Sequence, residues 1–262
     1  MKVTIITICL NSAETIAQTI ASVLNQDYHN IEYLVIDGQS TDGTLEIIYN
    51  HKEQIAKILS EKDNGLYAAF NKGINLANGE IIGILNSDDY FADNGVVSKV
   101  VKAIEENNSE GVYGDLHYVG RWDTNKILRK WKAGPYKPGL FISGWMPPHP
   151  TFFVKKEIYK KYGGYNEQLS LSADYELMLR MIHKHKIKVS YIPEVLVKMR
   201  VGGKGNVNFI QRIRANIQDR RAWTINNIKP GFFTAFLKPV RKIKQFGYKS
   251  PLNSFFRFRT GE

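Results

Sequence analysis

The sequence EIIGILNSDDYF, residues 80–91, joins an apolar segment directly to two adjacent aspartates. The apolar part has no polar alternation, which indicates a strand that is buried on both faces of a sheet. Asp88 and Asp89 follow it, and no basic residue stands beside them in the sequence. Two interpretations are open: a polar turn, for which Asn, Ser and Asp are ordinary residues, or a pair of carboxylates that binds a cation.

Strand and helix patterns alternate through the first half of the chain. The predicted strands cover residues 2–10, 31–37, 55–60 and 81–86, and the predicted helices cover residues 13–25, 66–77 and 94–107. Farther along we expect strands at residues 111–120 and 126–134, a helix at 172–185 and two short strands within 188–203. Alternation at this spacing predicts an α/β fold, with a mostly parallel sheet and helices on both of its faces.

The positive charge of the chain is concentrated near its end. Residues 205–262 contain twelve Lys or Arg against two acids, so they carry ten of the eleven net positive charges. We therefore predict a near-neutral body at residues 1–204 and a basic, aromatic helical extension at 205–262. Such a composition suits an anionic membrane surface. A helix packed on the body with a solvated basic face is the alternative, and we expect no nucleic-acid partner.

The remaining bulk properties favour a reducing compartment. A single cysteine, Cys9, excludes an internal disulfide framework. No uninterrupted apolar run approaches the ~18 residues of a membrane-spanning helix. We therefore expect a cytoplasmic protein that is soluble or attached to a membrane surface.

Acidic residues follow three of the predicted strands. Asp37 ends the second strand, Asp63 follows the third, and the Asp88–Asp89 pair follows the buried one. In a parallel sheet the carboxyl ends of the strands form the edge where ligands bind. Each acid alone is an ordinary turn or cap residue, but three at one edge predict a site. Mg²⁺ or Mn²⁺ binds one or two such carboxylates together with the phosphates of a substrate.

Five ordered blocks of the sequence carry a family resemblance. They are TIITICLNSAETIAQTIASVLNQ, YLVIDGQSTDGT, SEKDNGLYAAFNKGINLANGEIIGILNSDDYF, PHPTFFVKKEIYKKYGGYNE and SADYELMLR. Together they resemble the family 2 glycosyltransferases, which have the type A nucleotide-sugar fold. The resemblance covers roughly residues 1–204, and it implies a nucleotide-sugar-binding half at 1–115 and an acceptor-side half at 116–204.

The resemblance also implies roles for single residues. The positions matching the nucleotide-sugar site are Thr7, Asn11, Asp37, Asp63, Asn71 and Asp88. Asp89 matches the direct metal ligand, with Asp88 beside it, and Asp174 matches the catalytic base. Two positions depart from the family pattern: Asn86 stands where Asp is common, and Ala173 stands where many relatives have Glu.

The activity implied by the resemblance is metal-assisted glycosyl transfer with inversion at the anomeric carbon. The donor would be a UDP- or GDP-sugar, and the cofactor Mn²⁺ or Mg²⁺. The acceptor would be a saccharide or a polyprenyl-linked molecule of surface polysaccharide biosynthesis. An enzyme of this kind would work at the inner face of the cell membrane.

A few further residues are weaker candidates for contacts with acceptor or phosphate. His149 lies between two prolines on a stiff loop, and Arg200 and Lys204 flank a glycine-rich segment. Trp145 could stack on a sugar or lie in the core. Lys72 could contact phosphate or be a solvated helix residue.

Three other functions are weighed against glycosyl transfer. A nucleotidyltransferase that makes the sugar nucleotide needs a glycine-rich basic loop after the first strand, and CLNSAET lacks one. A dinucleotide oxidoreductase is disfavoured because no G-x-G-x-x-G follows that strand. A non-catalytic carbohydrate-binding protein of the same fold has no evident need of both Asp89 and Asp174.

Overall fold

The computed structural model describes residues 1–202 and 209–229, without the side chains of residues 209–213. Its strands are β1 (Val3–Cys9), β2 (Ile31–Asp37), β3 (Lys57–Ser60), β4 (Ile81–Asn86), β5 (Asp89–Phe91), β6 (Gly111–Val119), β7 (Ile127–Trp131), β8 (Phe153–Lys155) and β9 (Val189–Arg200). Its α-helices are α1 (Ile16–Leu24), α2 (Thr44–Tyr49), α3 (Leu66–Leu76), α4 (Val96–Asn107), α5 (Lys156–Tyr162), α6 (Ala173–Met178) and α7 (Phe209–Ile225).

The nine strands form one sheet in the order β3-β2-β1-β4-β8-β6-β9-β5, with β7 paired to β6. The strands β3, β2, β1 and β4 are parallel to one another. The short strand β8 is antiparallel to β4 and to β6, and β6 and β9 are again parallel. The predicted α/β fold is therefore confirmed, with a parallel half joined to a mixed half through β8.

Helices cover both faces of the sheet because its central strands are apolar on both sides. In β1, Ile6 and Ile8 belong to a core that also contains residues of α3, α5 and α6. Val3 and Ile5 belong to a second core, which they share with α1 and α4. This division follows from the alternation of side chains along a strand, and it fixes which helices reach the carboxyl ends of the strands.

Two elements differ from the predictions. The segment 188–203 was predicted as two strands, but β9 is a single strand whose register against β6 shifts between Gly114 and Asp115. The shift lets β9 pass Pro193, which has no N–H for the ladder. The strand β5 was not predicted at all, because its pairing partner is β9, far away in the sequence.

The predicted boundary at residue 204 does not separate two packing units. Helix α7 packs on α6, and its Trp223 is only 1% exposed. The indole Nε1 of Trp223 donates a hydrogen bond to the Tyr175 hydroxyl at 2.9 Å, and Asn226 Nδ2 donates one to Glu176 Oε1 at 2.8 Å. Ala222 and Trp223 thus belong to the core of the body, and Ile228 packs against it. Residues 203–208 and 230–262 of the predicted extension lie outside the described ranges.

A buried carboxylate, Glu32, stabilises the edge of the sheet formed by the amino ends of the parallel strands. Glu32 accepts hydrogen bonds from Thr4 Oγ1 at 2.6 Å, from the Asn78 backbone N–H at 2.6 Å and from Asn78 Nδ2 at 2.9 Å. Lys2 Nζ lies 3.3 Å from it. Burial acts to raise the pKa of Glu32, but the hydrogen bonds outweigh burial and lower the pKa to about 2.

We predict that Glu32→Gln lowers the free energy of unfolding by about 1–2 kcal/mol at pH 7. The folded pKa lies below the ordinary value of about 4.3, so the stabilisation is complete above that pH and fades as pH falls towards 2. Urea unfolding of both proteins at pH 7, 5 and 4 measures this, with the exposed Glu106→Gln as the control. A difference between wild type and Glu32→Gln that grows as the pH is lowered would contradict the prediction.

Candidate active site

The register of the parallel strands brings their carboxyl ends to one edge. Asp37 pairs with Cys9 on one side and with Ser60 on the other, and Ile8 pairs with Asn86. The ends of β3, β2, β1 and β4 therefore lie side by side. Asp37 and the segment that leads into Asp88 and Asp89 share this edge, as the strand order requires.

Asp37 is fully buried and fixed by local donors. Its carboxylate accepts hydrogen bonds from the Ser40 backbone N–H at 3.0 Å, from Ser40 Oγ at 2.5 Å and from Ser60 Oγ at 2.7 Å. Burial raises the pKa of the neighbouring Cys9 thiol, and the charges of Asp37, Asp42 and Asp63 raise it further. Asp37 Oδ1 accepts a hydrogen bond from the Cys9 thiol, and the charge of Asp63 acts on the same thiol.

Asp89 is the most unusual residue at this edge. It is fully buried because it lies in β5, which pairs with β9. Its Oδ2 accepts a hydrogen bond from Asn86 Nδ2 at 3.0 Å, while Oδ1 has no hydrogen-bond partner among the described residues. Burial raises the pKa of Asp89 well above its ordinary value, and the charge of Asp88 raises it further. Asn86 and Arg200 act to lower this pKa, so the charge of the buried carboxylate is only partly compensated by the folded chain.

An arginine that is far from Asp88 and Asp89 in the sequence lies next to their loop in the fold. Arg200, at the end of β9, is buried and donates a hydrogen bond to the Asp88 carbonyl oxygen at 2.8 Å. It also donates to Gln18 Oε1, and its guanidinium lies 5.1 Å from the centre of the Tyr90 ring. Arg200 is thus on the same edge as the aspartates, bonded to the backbone of their loop.

Asp174 lies in the first turn of α6, on the other half of the molecule. The Tyr67 hydroxyl, on α3, donates a hydrogen bond to Asp174 Oδ1 at 3.3 Å. Burial raises the pKa of Tyr118, the charge of Arg129 acts to lower it, and the charges of Asp89 and Asp174 raise it further. Asp174 therefore lies on a different element from the Asp88–Asp89 loop, and the charges of both sites act on the same tyrosine.

Two other predicted residues, Lys72 and His149, have ion-pair or hydrogen-bond partners within the protein. Lys72 forms ion pairs with Asp63 and, at 2.6 Å, with Glu61. His149 Nε2 lies 2.6 Å from the Tyr165 hydroxyl, and burial lowers the pKa of His149 while the charge of Asp174 acts to raise it. Lys204 lies outside the described residues.

Some predicted residues have structural contacts instead. Thr7 is fully buried and accepts a hydrogen bond from Tyr33 at 3.1 Å, and Trp145 is a core residue whose indole donates to the Ala133 carbonyl at 2.8 Å. Both side chains thus have partners within the protein, and their predicted contacts with ligand stay predictions. The carboxamide of Asn71 bonds the Tyr165 backbone at both ends.

Asn11 bonds the loop after β2. Its Oδ1 accepts a hydrogen bond from the Thr41 backbone N–H at 2.8 Å, and its own N–H donates to Ser40 Oγ at 2.8 Å. Asn11 adopts a positive φ of 50°, a conformation that Asn tolerates better than most residues. Through Ser40, it supports the loop that holds Asp37.

The donor set fits a hard divalent ion that is completed by phosphate. Among the described residues no group of three or more His, Cys, Asp or Glu side chains could hold a metal alone. Mg²⁺ and Mn²⁺ do not need such a group, since they use one or two carboxylates plus substrate oxygens and water. The unpartnered Oδ1 of Asp89, with Asp88 beside it, provides that smaller set.

The sequence did not predict a role for Tyr67, which contacts Asp174, or for Tyr118, on which the charge of Asp174 acts. Tyr67 follows the Asp63 loop in the block SEKDNGLYAAF, so its place at the start of a helix after a strand-end acid was a usable signal. Tyr118 ends a strand whose pairing with β9 is not visible in the local sequence.

Comparison with known proteins agrees with this geometry. The model of the family described as glycosyl transferase family 2 matches residues 4–165. The chain belongs to that family. It is 32% identical over 180 residues to an uncharacterized glycosyltransferase of Mycobacterium tuberculosis, covering 68% of each chain. It is 25% identical over 220 residues to a PGL/p-HBAD biosynthesis glycosyltransferase of Mycobacterium bovis, covering 78% of this chain and 80% of the relative. The chain is therefore a glycosyltransferase.

Solved structures share the fold. S. aureus TarS 1–349 in complex with UDP-GlcNAc has a TM-score of 0.64 at 16% identity, covering 90% of this chain and 69% of that one. The mannosyltransferase PcManGT from Pyrobaculum calidifontis, in complex with GDP-Man and Mn²⁺, has a TM-score of 0.64 at 22% identity, covering 90% and 68%. In two other TarS structures the match covers 60% and 45% of the TarS chain. These neighbours confirm the type A fold predicted from the sequence.

We predict that Asp89→Asn separates metal binding from folding. Without metal the variant melts at or above the wild-type temperature, because the substitution removes a buried charge that burial and Asp88 both disfavour. Addition of Mn²⁺ with UDP or GDP raises the melting temperature of the wild type by several degrees, as expected for a ligand near 100 times its dissociation constant, which adds about 2.7 kcal/mol. The variant loses this rise.

Asp115→Asn is the matched control for that experiment. Asp115 is also buried, but its carboxylate accepts hydrogen bonds from the Ala133 N–H at 2.9 Å and from the Tyr191 hydroxyl at 2.8 Å. This control is expected to lose about 1 kcal/mol of stability and to keep the Mn²⁺ effect. A strongly destabilised Asp89→Asn that still responds to Mn²⁺ would contradict the assignment of Asp89.

Proposed function

We propose that this chain is a metal-assisted, inverting glycosyltransferase that uses a UDP- or GDP-sugar as donor. The observation that carries the proposal is the unpartnered, buried Oδ1 of Asp89 at the same edge of the sheet as Asp37. A buried carboxylate with an unpartnered oxygen does not stabilise the folded protein. Its presence is explained if a cation that compensates its charge arrives with the phosphates of the donor.

The donor side is supported by the residues at the strand ends. Asp37, held by serine donors, would offer acceptor oxygens to the N–H groups of a nucleobase, and Asp63 follows the neighbouring strand β3. Asp88 and Asp89 would hold Mn²⁺ or Mg²⁺, which supplies positive charge to the leaving diphosphate when bound. Arg200 adds a fixed positive charge beside the same loop.

The acceptor side is supported by the position of Asp174. Its carboxylate is carried by α6, on a different element from the proposed metal ligands, and its charge acts on Tyr118 as that of Asp89 does. A carboxylate there would accept the proton of the acceptor hydroxyl as the oxygen attacks the anomeric carbon. Attack from the face opposite the diphosphate gives inversion.

Relatives and neighbours bear on the substrates. TarS and PcManGT are described in complex with UDP-GlcNAc and with GDP-Man and Mn²⁺, and the M. bovis relative is named for PGL/p-HBAD biosynthesis. For this chain we propose a nucleoside diphosphate sugar as donor and a saccharide or polyprenyl-linked acceptor of polysaccharide or glycolipid synthesis. A nucleotidyltransferase remains less suitable, since the loop after β1 offers an exposed Asn11 and a half-buried Ser12 and no lysine or arginine.

A panel of nucleotide sugars with and without Mn²⁺ tests the proposal. We predict nucleotide release from one or a few donors, dependent on metal. Asp174→Asn lowers turnover at least 100-fold, the usual scale of general-base catalysis, while the affinity for the nucleoside diphosphate stays within about twofold. Glu106→Gln, an exposed acid on α4, controls for the loss of a carboxylate.

Two results would contradict the proposal. One is turnover by Asp174→Asn at the rate of Glu106→Gln, which would remove the base. The other is binding of no nucleotide at all by the wild-type chain, with or without metal. That second result would favour the alternative of a carbohydrate-binding protein on the same fold.

We further propose that the basic end of the chain holds the enzyme at an anionic membrane surface, which would be the inner face of the cell membrane. No described helix is both long enough and apolar enough to cross a bilayer. On the described part of α7, Ile217 is 60% exposed and lies among the exposed Arg214, Arg220 and Arg221. An apolar side chain surrounded by arginines suits the headgroup region.

Sedimentation with vesicles tests this attachment. We predict that vesicles containing anionic lipid retain the full chain, and that replacing the three α7 arginines by glutamine weakens retention at least tenfold, since each charge near the surface contributes about 1 kcal/mol. Neutral vesicles should retain neither protein.

The control removes three exposed positive charges elsewhere, at Lys52, Lys102 and Lys160. Equal retention of the arginine variant and the wild type would overturn the role of α7, as would an equal loss in the lysine control.

A further inference from the structure

The hydroxyl of Tyr67 joins the two halves of the molecule at Asp174. Tyr67 lies in the first turn of α3, and its ring is 8% exposed. Its hydroxyl donates a hydrogen bond to Asp174 Oδ1 at 3.3 Å, in the first turn of α6. The phenol thus contacts the carboxylate of the residue proposed as the base.

Aromatic packing fixes the direction of the Tyr67 ring. It stacks on Tyr165 with centroids 5.6 Å apart and an interplanar angle of 18°, and it meets Phe70 edge-on at 5.8 Å. Tyr165 is in turn held to α3 through its backbone, because the Asn71 carboxamide bonds its N–H at 2.7 Å and its carbonyl at 2.9 Å. The ring of Tyr67 therefore has little freedom to turn its hydroxyl away from Asp174.

The same helix reaches the donor side of the cleft. Lys72, one turn and a half further along α3, is ion-paired with Asp63, and Asp63 precedes the helix by three residues. Movement of α3 would displace the proposed donor-side acid and the proposed base together.

We propose that Tyr67 is a positioning residue for Asp174, whose hydroxyl holds the carboxylate in one orientation and stabilises its ionised, proton-accepting form. This inference rests on the proposed function, in which Asp174 is the base. A hydrogen bond donated to a carboxylate favours the charged state. The other titratable groups that face Asp174 among the described residues are Tyr118, Tyr165 and His149.

Carboxyl carbon-13 NMR of the whole protein tests the inference without a known donor. The Asp174 signal is assigned by its loss in Asp174→Asn, and its titration midpoint is compared between wild type and Tyr67→Phe. We expect the midpoint to rise by about half a pH unit or more in Tyr67→Phe, because the hydrogen bond to the charged form is lost. With the donor found in the panel, the acid limb of kcat should move upward equally, while KM for the donor stays within about twofold.

Tyr159→Phe is the matched control. It removes another buried hydroxyl from the same aromatic cluster, one that shares a hydrogen bond with Tyr165 and does not contact Asp174. If Tyr67→Phe does not fold, Tyr67→Met fills much of the same space without a hydroxyl and is expected to give the same upward shift.

An unchanged Asp174 titration in the Tyr67 variants, or an equal shift in Tyr159→Phe, overturns the proposal. Failure of this proposal can be distinguished from failure of the proposed function. Full turnover by Asp174→Asn would remove the base and leave the NMR comparison intact. Loss of turnover in Asp174→Asn, together with no shift in the Tyr67 variants, would remove only the role of Tyr67.

Discussion

The partly compensated charge of Asp89 is the constraint on which the rest of the proposed site depends. A carboxylate that is buried, adjacent to Asp88 and left with one unpartnered oxygen costs the folded state free energy. The chain supplies partial relief through Asn86 and through Arg200, which bonds the backbone of the loop. The remaining imbalance is the physical reason for expecting a divalent ion that arrives with phosphates.

A second constraint is the joining of two unlike halves. The parallel strands build the donor edge by a general rule of α/β sheets, whereas Asp174 comes from a helix on the mixed half. Helix α3 bridges them: Asn71 fastens the Tyr165 segment, and Tyr67 reaches the first turn of α6. Helix α7 supports the far side of α6 through Trp223. The geometry of the proposed base therefore depends on packing well outside the cleft.

Much of this arrangement could be predicted from the sequence, because it rests on local patterns. The apolar run of β4, the strand–helix alternation and the strand-end position of Asp37 are all readable without tertiary information. What could not be predicted depends on pairing between distant segments. Asp89 lies in β5 only because β9 pairs with it, and the basic residue missing beside the aspartates in the sequence arrives as Arg200 on that same strand. The contacts of Thr7 and Trp145 could not be predicted either. Both side chains are buried, and burial is a property of the folded chain that the local sequence does not show.

The most direct measurement of the central claim is a crystal structure of the protein with Mn²⁺ and the nucleoside diphosphate that it binds, using the anomalous signal of manganese to locate the ion. The account predicts one manganese bonded to a carboxylate oxygen of Asp89 and to phosphate oxygens. The nucleobase should lie beside Asp37, and the diphosphate should face Asp174. Manganese bound away from Asp89, or a nucleotide seated on a different surface from Asp37 and Asp174, would contradict it.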